Sequence, residues 1–175
     1  TLLAFVAGVS CLMKIEPLEG LDVIKFGARK ADALKLFGKP DFVENKDGTD
    51  GVSAEIWEYK SQGLRLNFDP NLDFILEGIF VYSPEISLND FNPIGLTEQE
   101  LLTHYPNLEL EVRDGRFADY VDNPKELLFF LRDKVVKTVF LPSTKSFIFG
   151  LKTAINFSKN AAKATIKLYR KNISP

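Results

Sequence analysis

Two stretches of the chain, residues 20–84 and 91–142, follow the same order of patterns: an apolar residue and a Gly, a short helical segment, a Pro, and then several strands. The separation between matched positions falls from 68 to 60 along the chain, as expected for a second copy with shorter surface loops. The sequence therefore predicts an α+β fold built from a tandem repeat. Chance sharing of Gly, Pro and alternating patterns is the alternative. The matched pairs are Gly27 and Gly95, Pro40 and Pro106, Tyr59 and Tyr120, and Ile79 and Val139.

Each unit is predicted to contain a short helix followed by an antiparallel four-strand meander, with the two halves joined into one sheet. The first helix, residues 31–37, is stopped by Gly38-Lys39-Pro40. The second begins at Thr97, where a hydroxyl precedes Glu100 by three residues in the capping-box arrangement. Strands are predicted at residues 54–59, 63–67, 76–82, 108–113, 117–121, 127–131 and 135–141. The predicted boundaries are 13–88 and 89–143 for the repeats, with residues 1–12 and 144–175 outside them.

Alternation along the last strand of each unit predicts which side chains share a face of the sheet. If Ile79 and Val81 face the helices, Phe80 and Tyr82 face away from them. In the second unit the same rule separates Val135, Val139 and Leu141 from Val136, Thr138 and Phe140. Both sides are apolar, so the face away from the helices is expected to be covered, either by the C-terminal segment or by another protein.

Aromatic side chains supply the predicted partner-binding site. Aromatic rings give large contact area at small entropic cost and dominate interface hot spots. An ordinary core under the C-terminal helix is the alternative interpretation. The predicted platform consists of Trp57, Tyr59, Phe80, Tyr82 and Tyr120, with Phe130 and Phe140 beside them and Glu58 and Glu77 as an acidic rim.

Cysteine and histidine counts restrict the chemistry that the chain can support. A single Cys11 and a single His104 exclude an internal disulfide, a Cys-based zinc site and a multi-histidine metal centre. The acids at Asp47 and Asp50, and at Asp69 and Asp73, lack the Gly and Glu of a calcium loop and predict solvated turns. His104 with Asp114 or Glu111 has no spacing typical of an acid–base pair, and no nucleophile elbow accompanies it. We therefore predict a protein that is not an enzyme and that uses no metal or cofactor.

Charge is distributed unevenly along the chain. Residues 144–175 contain seven basic residues and no acid, so residues 1–143 carry 15 basic against 24 acidic residues, a net charge of −9. The acidic body favours a cationic partner, such as a basic toxin or enzyme, and disfavours nucleic acid.

The basic C-terminal segment has a helical pattern over residues 147–171, with its cations on one arc and its apolar residues on the other. One interpretation is a helix that binds the surface of an anionic membrane. The other is a packing helix whose apolar arc covers the sheet. The membrane-surface residues would be Lys152, Lys159, Lys163, Lys167, Arg170 and Lys171.

The first twelve residues are almost entirely apolar and too short to span a bilayer. They are interpreted either as the end of a leader with Cys11 acylated, or as sequence that precedes a natural start at Met13. A start at Met13 predicts a cytoplasmic protein; a leader would predict a periplasmic or membrane-associated one.

Short phrases of the first unit resemble a known repeat. They are Phe26-Gly27-Ala28-Arg29-Lys30-Ala31, Leu34-x-x-Phe37-Gly38-Lys39-Pro40, Trp57-x-Tyr59 and Gly63-Leu64-x-Leu66-x-Phe68. Together they resemble the repeat of β-lactamase-inhibitor-protein-like folds, which the outer-membrane assembly lipoproteins share. The second unit is looser, with Tyr105-Pro106 in place of the Gly-x-Pro phrase. The resemblance implies a concave sheet that binds another protein.

These observations predict a non-enzymatic bacterial protein-binding module, in the form of an inhibitor or a toxin-neutralising immunity protein that occludes its target with the sheet face. The alternative is an envelope- or membrane-associated assembly or scaffold factor that uses the basic C-terminal helix.

Overall fold

A computed structural model describes residues 13–47 and 53–143. Their architecture is α+β and is dominated by one eight-stranded antiparallel sheet, with two short helices. Its strands are β3 (Phe42–Asp47), β4 (Ser53–Tyr59), β5 (Leu64–Asp69), β6 (Ile75–Val81), β8 (Glu109–Asp114), β9 (Phe117–Asp122), β10 (Leu127–Arg132) and β11 (Val135–Pro142). Their spatial order is β3-β4-β5-β6-β11-β10-β9-β8, so β3 and β8 form the two edges and β6 pairs with β11 at the centre.

A second, three-stranded sheet was not predicted from the sequence. Its strands are β1 (Lys14–Glu16), β2 (Gly20–Leu21) and β7 (Ser87–Leu88), and β1 lies between the other two. Strand β1 pairs antiparallel with β2 and parallel with β7. The parallel pair therefore joins the beginning of the described chain to the link between the two halves of the large sheet.

The two helices begin and end close to the residues that the sequence predicted. Helix α1 (Lys30–Phe37) ends at Gly38, whose φ of 77° suits glycine. Helix α2 (Glu98–His104) has Thr97 as its N-cap, and the capping box with Glu100 is formed. Local signals were sufficient here because caps depend on neighbouring residues alone.

The main core lies on one side of the large sheet, which we call the core face. Side chains from both helices and from the small sheet pack against this face, represented by Ala33, Leu101 and Ile15. The facing sheet residues include Leu64, Leu66, Ile79, Leu127, Phe129, Leu131 and Val139. The opposite side, the outer face, includes Ile56, Phe80, Val121, Leu128, Phe130, Thr138 and Phe140, as strand alternation and the pairing registers require.

Two β-bulges shift the alternation in the central strands. The register shifts between Asn67 and Phe68 opposite β6, and between Phe130 and Leu131 opposite β11, which leaves Glu77 and Lys137 as the extra residues. The prediction that Val136 shares a face with Thr138 and Phe140 is therefore wrong. Val136 is buried on the core face opposite Leu131, because the inserted residue reverses the parity of the strand.

Several predictions concern residues outside the described ranges. These are the apolar residues 1–12 with Cys11, Asp50 in the β3–β4 turn, and the amphipathic helix of residues 144–175 with its six named cations. Within the ranges that are described, neither helix has the length and hydropathy that crossing a bilayer requires.

Candidate functional site

The predicted aromatic platform is divided between the two faces of the sheet. Trp57, Tyr59 and Tyr120 lie on the core face and are 6%, 1% and 5% exposed. Phe80 and Tyr82 lie on the opposite side. The prediction of one continuous partner-binding platform is therefore wrong, because three of its five rings are buried under the helices and the small sheet.

Trp57 is fixed by an ion pair above its ring. The indole Nε1–H donates to Oε1 of Glu55 at 2.5 Å, and Nζ of Lys30 lies 2.8 Å from the same oxygen. Nζ of Lys30 is also 5.6 Å from the centre of the Trp57 ring and 3.6 Å from that of Phe74, within cation–π range. The one polar group of the Trp57 side chain, its indole N–H, therefore has a hydrogen-bond acceptor although the ring is buried.

Tyr59 and Tyr120 are held by equally specific contacts. The Tyr59 hydroxyl donates to the carbonyl of Gly38 at 3.2 Å, and burial raises the pKa of Tyr59 to about 12. The Tyr120 hydroxyl donates to Glu98, whose carboxylate also pairs with Arg113. The hydrogen bond from Tyr120 and then that from Arg113 lower the pKa of Glu98. Both tyrosines therefore have hydrogen-bond partners within the protein, as aromatic residues with a structural role do.

The predicted acidic rim is also engaged within the protein. Glu58 lies beside Arg65, with 3.3 Å between its Oε2 and Nη2 of the arginine, and accepts a hydrogen bond from the Tyr82 hydroxyl at 3.3 Å. The side chain of Glu58 is mostly buried, and burial together with Glu58 raises the pKa of Tyr82 to about 12. Glu77, the bulged residue of β6, accepts from the hydroxyl of Ser143. Glu58 is therefore not a solvent-exposed rim residue.

Phe80 lies at the centre of the outer face and is only 5% exposed. Its ring stacks on that of Phe140 with 4.1 Å between centroids and 17° between planes. A Cβ at Gly78 would come within 2.9 Å of the Phe140 ring, so glycine lets this ring lie flat on the sheet. The burial of Phe80 contradicts its predicted role as a directly accessible contact.

A different region exposes apolar surface. Seven large apolar side chains are strongly exposed in the described part of the chain, and four of them fall between residues 34 and 43. They occupy helix α1 and the first two residues of edge strand β3, and we call this region the α1–β3 surface. Its members are Leu34, Leu36, Phe42 and Val43, and Phe42 is 53% exposed.

The two edges of the large sheet differ in protection. Both edge strands carry charged residues, but β8 also has a register shift between Leu110 and Val112, which discourages further pairing. Strand β3 pairs with β4 in continuous register from Phe42 to Asp47 and begins with two apolar residues. This edge could not be predicted from the sequence, because edge position depends on strand order, which alternation does not reveal.

No group of three or more His, Cys, Asp or Glu in residues 13–47 and 53–143 is arranged to hold a metal ion. The His104 ring stacks on Phe91 with centroids 4.2 Å apart. Asp69 caps a single-turn 3₁₀ helix by accepting from the amide of Asn71, and Asp73 pairs with Arg29. These candidate chemical residues therefore have structural contacts in the turns and helix ends that they occupy.

No protein-family model matches the chain, and no curated protein matches it. Among solved structures, it is similar to an extracellular protein containing an SCP domain from Bacillus anthracis str. Ames, at 8% identity and a TM-score of 0.45, over 70% of this chain and 45% of that one. The chain thus spans less than half the length of that protein.

Two further solved structures are similar. The uncharacterized protein YfeY from Escherichia coli has 14% identity and a TM-score of 0.41, over 58% of this chain and 80% of that one. The DUF4309 family protein YjgB from Bacillus subtilis subsp. subtilis str. 168 has 16% identity and a TM-score of 0.43, over 67% and 79%. At these identities and TM-scores the similarities assign no function, and the resemblance to β-lactamase-inhibitor-protein-like folds stays a prediction.

Proposed function

We propose that this protein is a non-enzymatic protein-binding module whose α1–β3 surface receives the partner. The observation that carries the proposal is the concentration of Leu34, Leu36, Phe42 and Val43 at a sheet edge that continues in regular register. A concentration of exposed apolar side chains in one region of a domain is typical of an interaction site.

The edge position favours an extended partner segment. An edge strand presents backbone N–H and C=O groups that another chain can pair with, and the flanking side chains then select the sequence that is accepted. Phe42 is paired with Glu58 and Val43 with Trp57, so the two apolar side chains project to opposite sides of β3. A partner strand added to β3 would contact one apolar residue on each side of the sheet.

Charge supports a cationic partner. Residues 1–143 have a net charge of −9. Such a field increases the rate of encounter with a basic protein, more than it increases affinity. An inhibitor or a toxin-neutralising immunity protein is the form of binding protein that we favour, acting by occlusion at the sheet edge rather than through the sheet face.

The experiment compares three single variants of the full chain as baits in lysate of the native organism, followed by titration with the purified partner. Phe42→Glu and Leu36→Glu are each expected to lower the affinity for the partner at least tenfold, because each places a charge at the apolar contact. Leu110→Glu is the matched control, since Leu110 is 48% exposed and lies on β8, the opposite edge strand of the large sheet. Equal binding by all four proteins, or equal loss in the Leu110 variant, would refute the proposal.

We also propose that the two halves of the large sheet are copies of one unit. The entry to each helix has the same backbone pairing: Gly27 N–H donates to Leu76 C=O, and Gly95 N–H donates to Val136 C=O. The returning bonds, from Leu76 to Ala28 and from Val136 to Leu96, are equivalent too. Both glycines have positive φ, 83° and 94°.

The bulges and the central pair support the same proposal. Glu77 and Lys137, the extra residues of the two bulges, lie 60 positions apart. Phe80 and Phe140 are also 60 positions apart, and they pair directly with each other. Two equivalent residues that face each other lie on the local two-fold axis of the pair. A crystal structure of the whole chain would test the proposal, because two halves that are copies must superpose strand by strand, including the bulges.

This register changes one match made from the sequence. Trp57 is opposite Leu66, which is opposite Ile79; Tyr120 is opposite Phe129, which is opposite Val139. Tyr120 therefore corresponds to Trp57 and not to Tyr59. The first residues of the two helices, Lys30 and Glu98, correspond as well. Lys30 pairs with Glu55, and Glu98 pairs with Arg113, so the helix supplies the base in the first ion pair and the acid in the second.

A further inference from the structure

We propose that the basic segment of residues 144–175 covers the outer face of the large sheet within the same chain. This inference concerns the surface opposite the helices and is independent of the partner at the α1–β3 surface.

Burial on the outer face is the first argument. Phe80, Val121 and Thr138 are buried there, and Asp119 is 3% exposed. Helices α1 and α2 and the strands of the small sheet bury their apolar side chains in the cluster on the core face instead. A sheet face in contact with water on one side would leave such residues exposed, so the outer face needs a covering layer.

The path of the chain supplies the second argument. Strand β11 ends at Pro142 beside β6, so the chain leaves the described region from the middle of the sheet, with 32 residues still to follow. A helix of about 25 residues is roughly 37 Å long at about 1.5 Å per residue. Eight strands about 4.8 Å apart span roughly 34 Å. The predicted helix is therefore long enough to cover the sheet from edge to edge.

The chemistry of the two surfaces is complementary. The apolar arc of the predicted helix contains Leu151, Ile155, Ile166 and Tyr169. The outer face offers the rings of Phe80, Phe130 and Phe140 with Leu128. The segment also brings seven cations and no acid to a body, residues 1–143, whose net charge is −9.

The test uses paramagnetic relaxation in the full chain. Cys11 is replaced by serine, and Ala164→Cys, between the two arcs of the predicted helix, carries a nitroxide. The proposal predicts loss of the methyl signals of Ile56 or Leu128 on the outer face. The methyl signals of Leu66 and Leu131, which belong to the core face, should be broadened less.

A second label shows that the measurement distinguishes the faces. A nitroxide at Leu34→Cys, on exposed helix α1, should broaden Leu66 more than Leu128. Three results overturn the proposal: the label at residue 164 broadens the methyl signals of both faces equally, those of the core face more, or neither set. In each of these cases residues 144–175 do not cover the outer face. Broadening only in mixed samples of labelled and unlabelled chains would assign the cover to a second copy and would overturn it too.

Discussion

Two buried aromatic rings, those of Trp57 and Tyr120, are each accompanied by a charged residue at the start of a helix. The indole N–H of Trp57 and the hydroxyl of Tyr120 both donate to carboxylates, of Glu55 and Glu98. A buried donor without an acceptor would lose its bonds to water, at a cost of about 1 to 3 kcal/mol. Lys30 and Arg113 form ion pairs with these two carboxylates in partly buried positions.

Replacing Tyr120 by phenylalanine is expected to lower the free energy of unfolding by about 1.5 kcal/mol near neutral pH, because the charged hydrogen bond to Glu98 is lost. The folded-state pKa of Glu98 lies below its ordinary value of 4.5. Its stabilisation is therefore present above pH 4.5 and is lost as the pH falls through the folded-state pKa. Urea unfolding of both proteins across this range should show the difference shrinking in acid.

Tyr59→Phe is the control for this effect. The Tyr59 hydroxyl donates to the backbone carbonyl of Gly38, which does not titrate, and the pKa of Tyr59 is raised to about 12. The loss of unfolding free energy caused by Tyr59→Phe should therefore be the same at neutral and at acid pH. A Tyr120→Phe cost that is equally constant would show that Glu98 does not carry the interaction.

Sequence alternation placed Trp57 and Tyr59 on one face of their strand, and it separated Phe80 from Ile79 and Val81; the burial pattern agrees with both. What alternation could not supply is which of the two faces each strand presents to the helices. That choice depends on the register between β4 and the strands beside it. The candidate site was therefore assembled from rings on opposite sides of the sheet.

Turns and bulges set the register of this sheet. Gly63, in the turn between β4 and β5, has φ of 65°, and a Cβ there would be 2.4 Å from Cβ of Ser83. Gly115, between β8 and β9, has φ of 56° and no atom near the same position. The two glycines share a left-handed backbone and differ in the space around them.

We expect Gly63→Ala to lower the free energy of unfolding by about 2 kcal/mol more than Gly115→Ala does, because both add a left-handed alanine and only the first adds a steric overlap. Chemical denaturation of the two variants measures the difference. Equal costs would show that the backbone near Ser83 moves aside without penalty.

Elements with strong local signals were predicted correctly, whereas elements that depend on distant partners were not. The capping box of Thr97 and Glu100 identified the start of α2. Strands β1, β2 and β7 contain three, two and two residues, and they form only because the chain brings them together. Bulges at Glu77 and Lys137 have no local signature either, since an inserted residue differs from its neighbours only in its pairing.

The pairing of β6 with β11 joins the two four-stranded halves into one sheet. The pair extends over four positions, from Gly78 with Pro142 to Val81 with Val139. Buried residues from both halves belong to one continuous cluster. We therefore expect the halves to unfold together.

The only tryptophan allows a direct test, because Trp57 lies in the first half. Leu131→Ala, a buried change in the second half, should cost about 2 to 5 kcal/mol. If the sheet is one cooperative unit, the midpoint followed by Trp57 fluorescence shifts as far as the midpoint followed by far-ultraviolet circular dichroism. An unchanged fluorescence midpoint would show that the first half is stable by itself.

The joined antiparallel sheet itself was predicted from two matching units, and the strand order agrees with that expectation. The sequence does not decide between a membrane surface and the outer face of the sheet as the surroundings of residues 144–175, because an amphipathic basic segment suits both. The choice between these two surroundings depends on contacts with distant residues, which leave no local signature.

The central location of β11 also matters during synthesis. Until residues 135–142 leave the ribosome, the apolar strand β6 has one side of its backbone without its final partner. Residues 79–81, Ile-Phe-Val, closely match residues 139–141, Val-Phe-Leu, with which they pair. The β6 strand of a neighbouring nascent chain therefore offers nearly the same side chains as the authentic partner. We therefore expect chains interrupted before residue 135 to pair with one another, β6 against β6, and rapid completion of translation to protect against this misassembly.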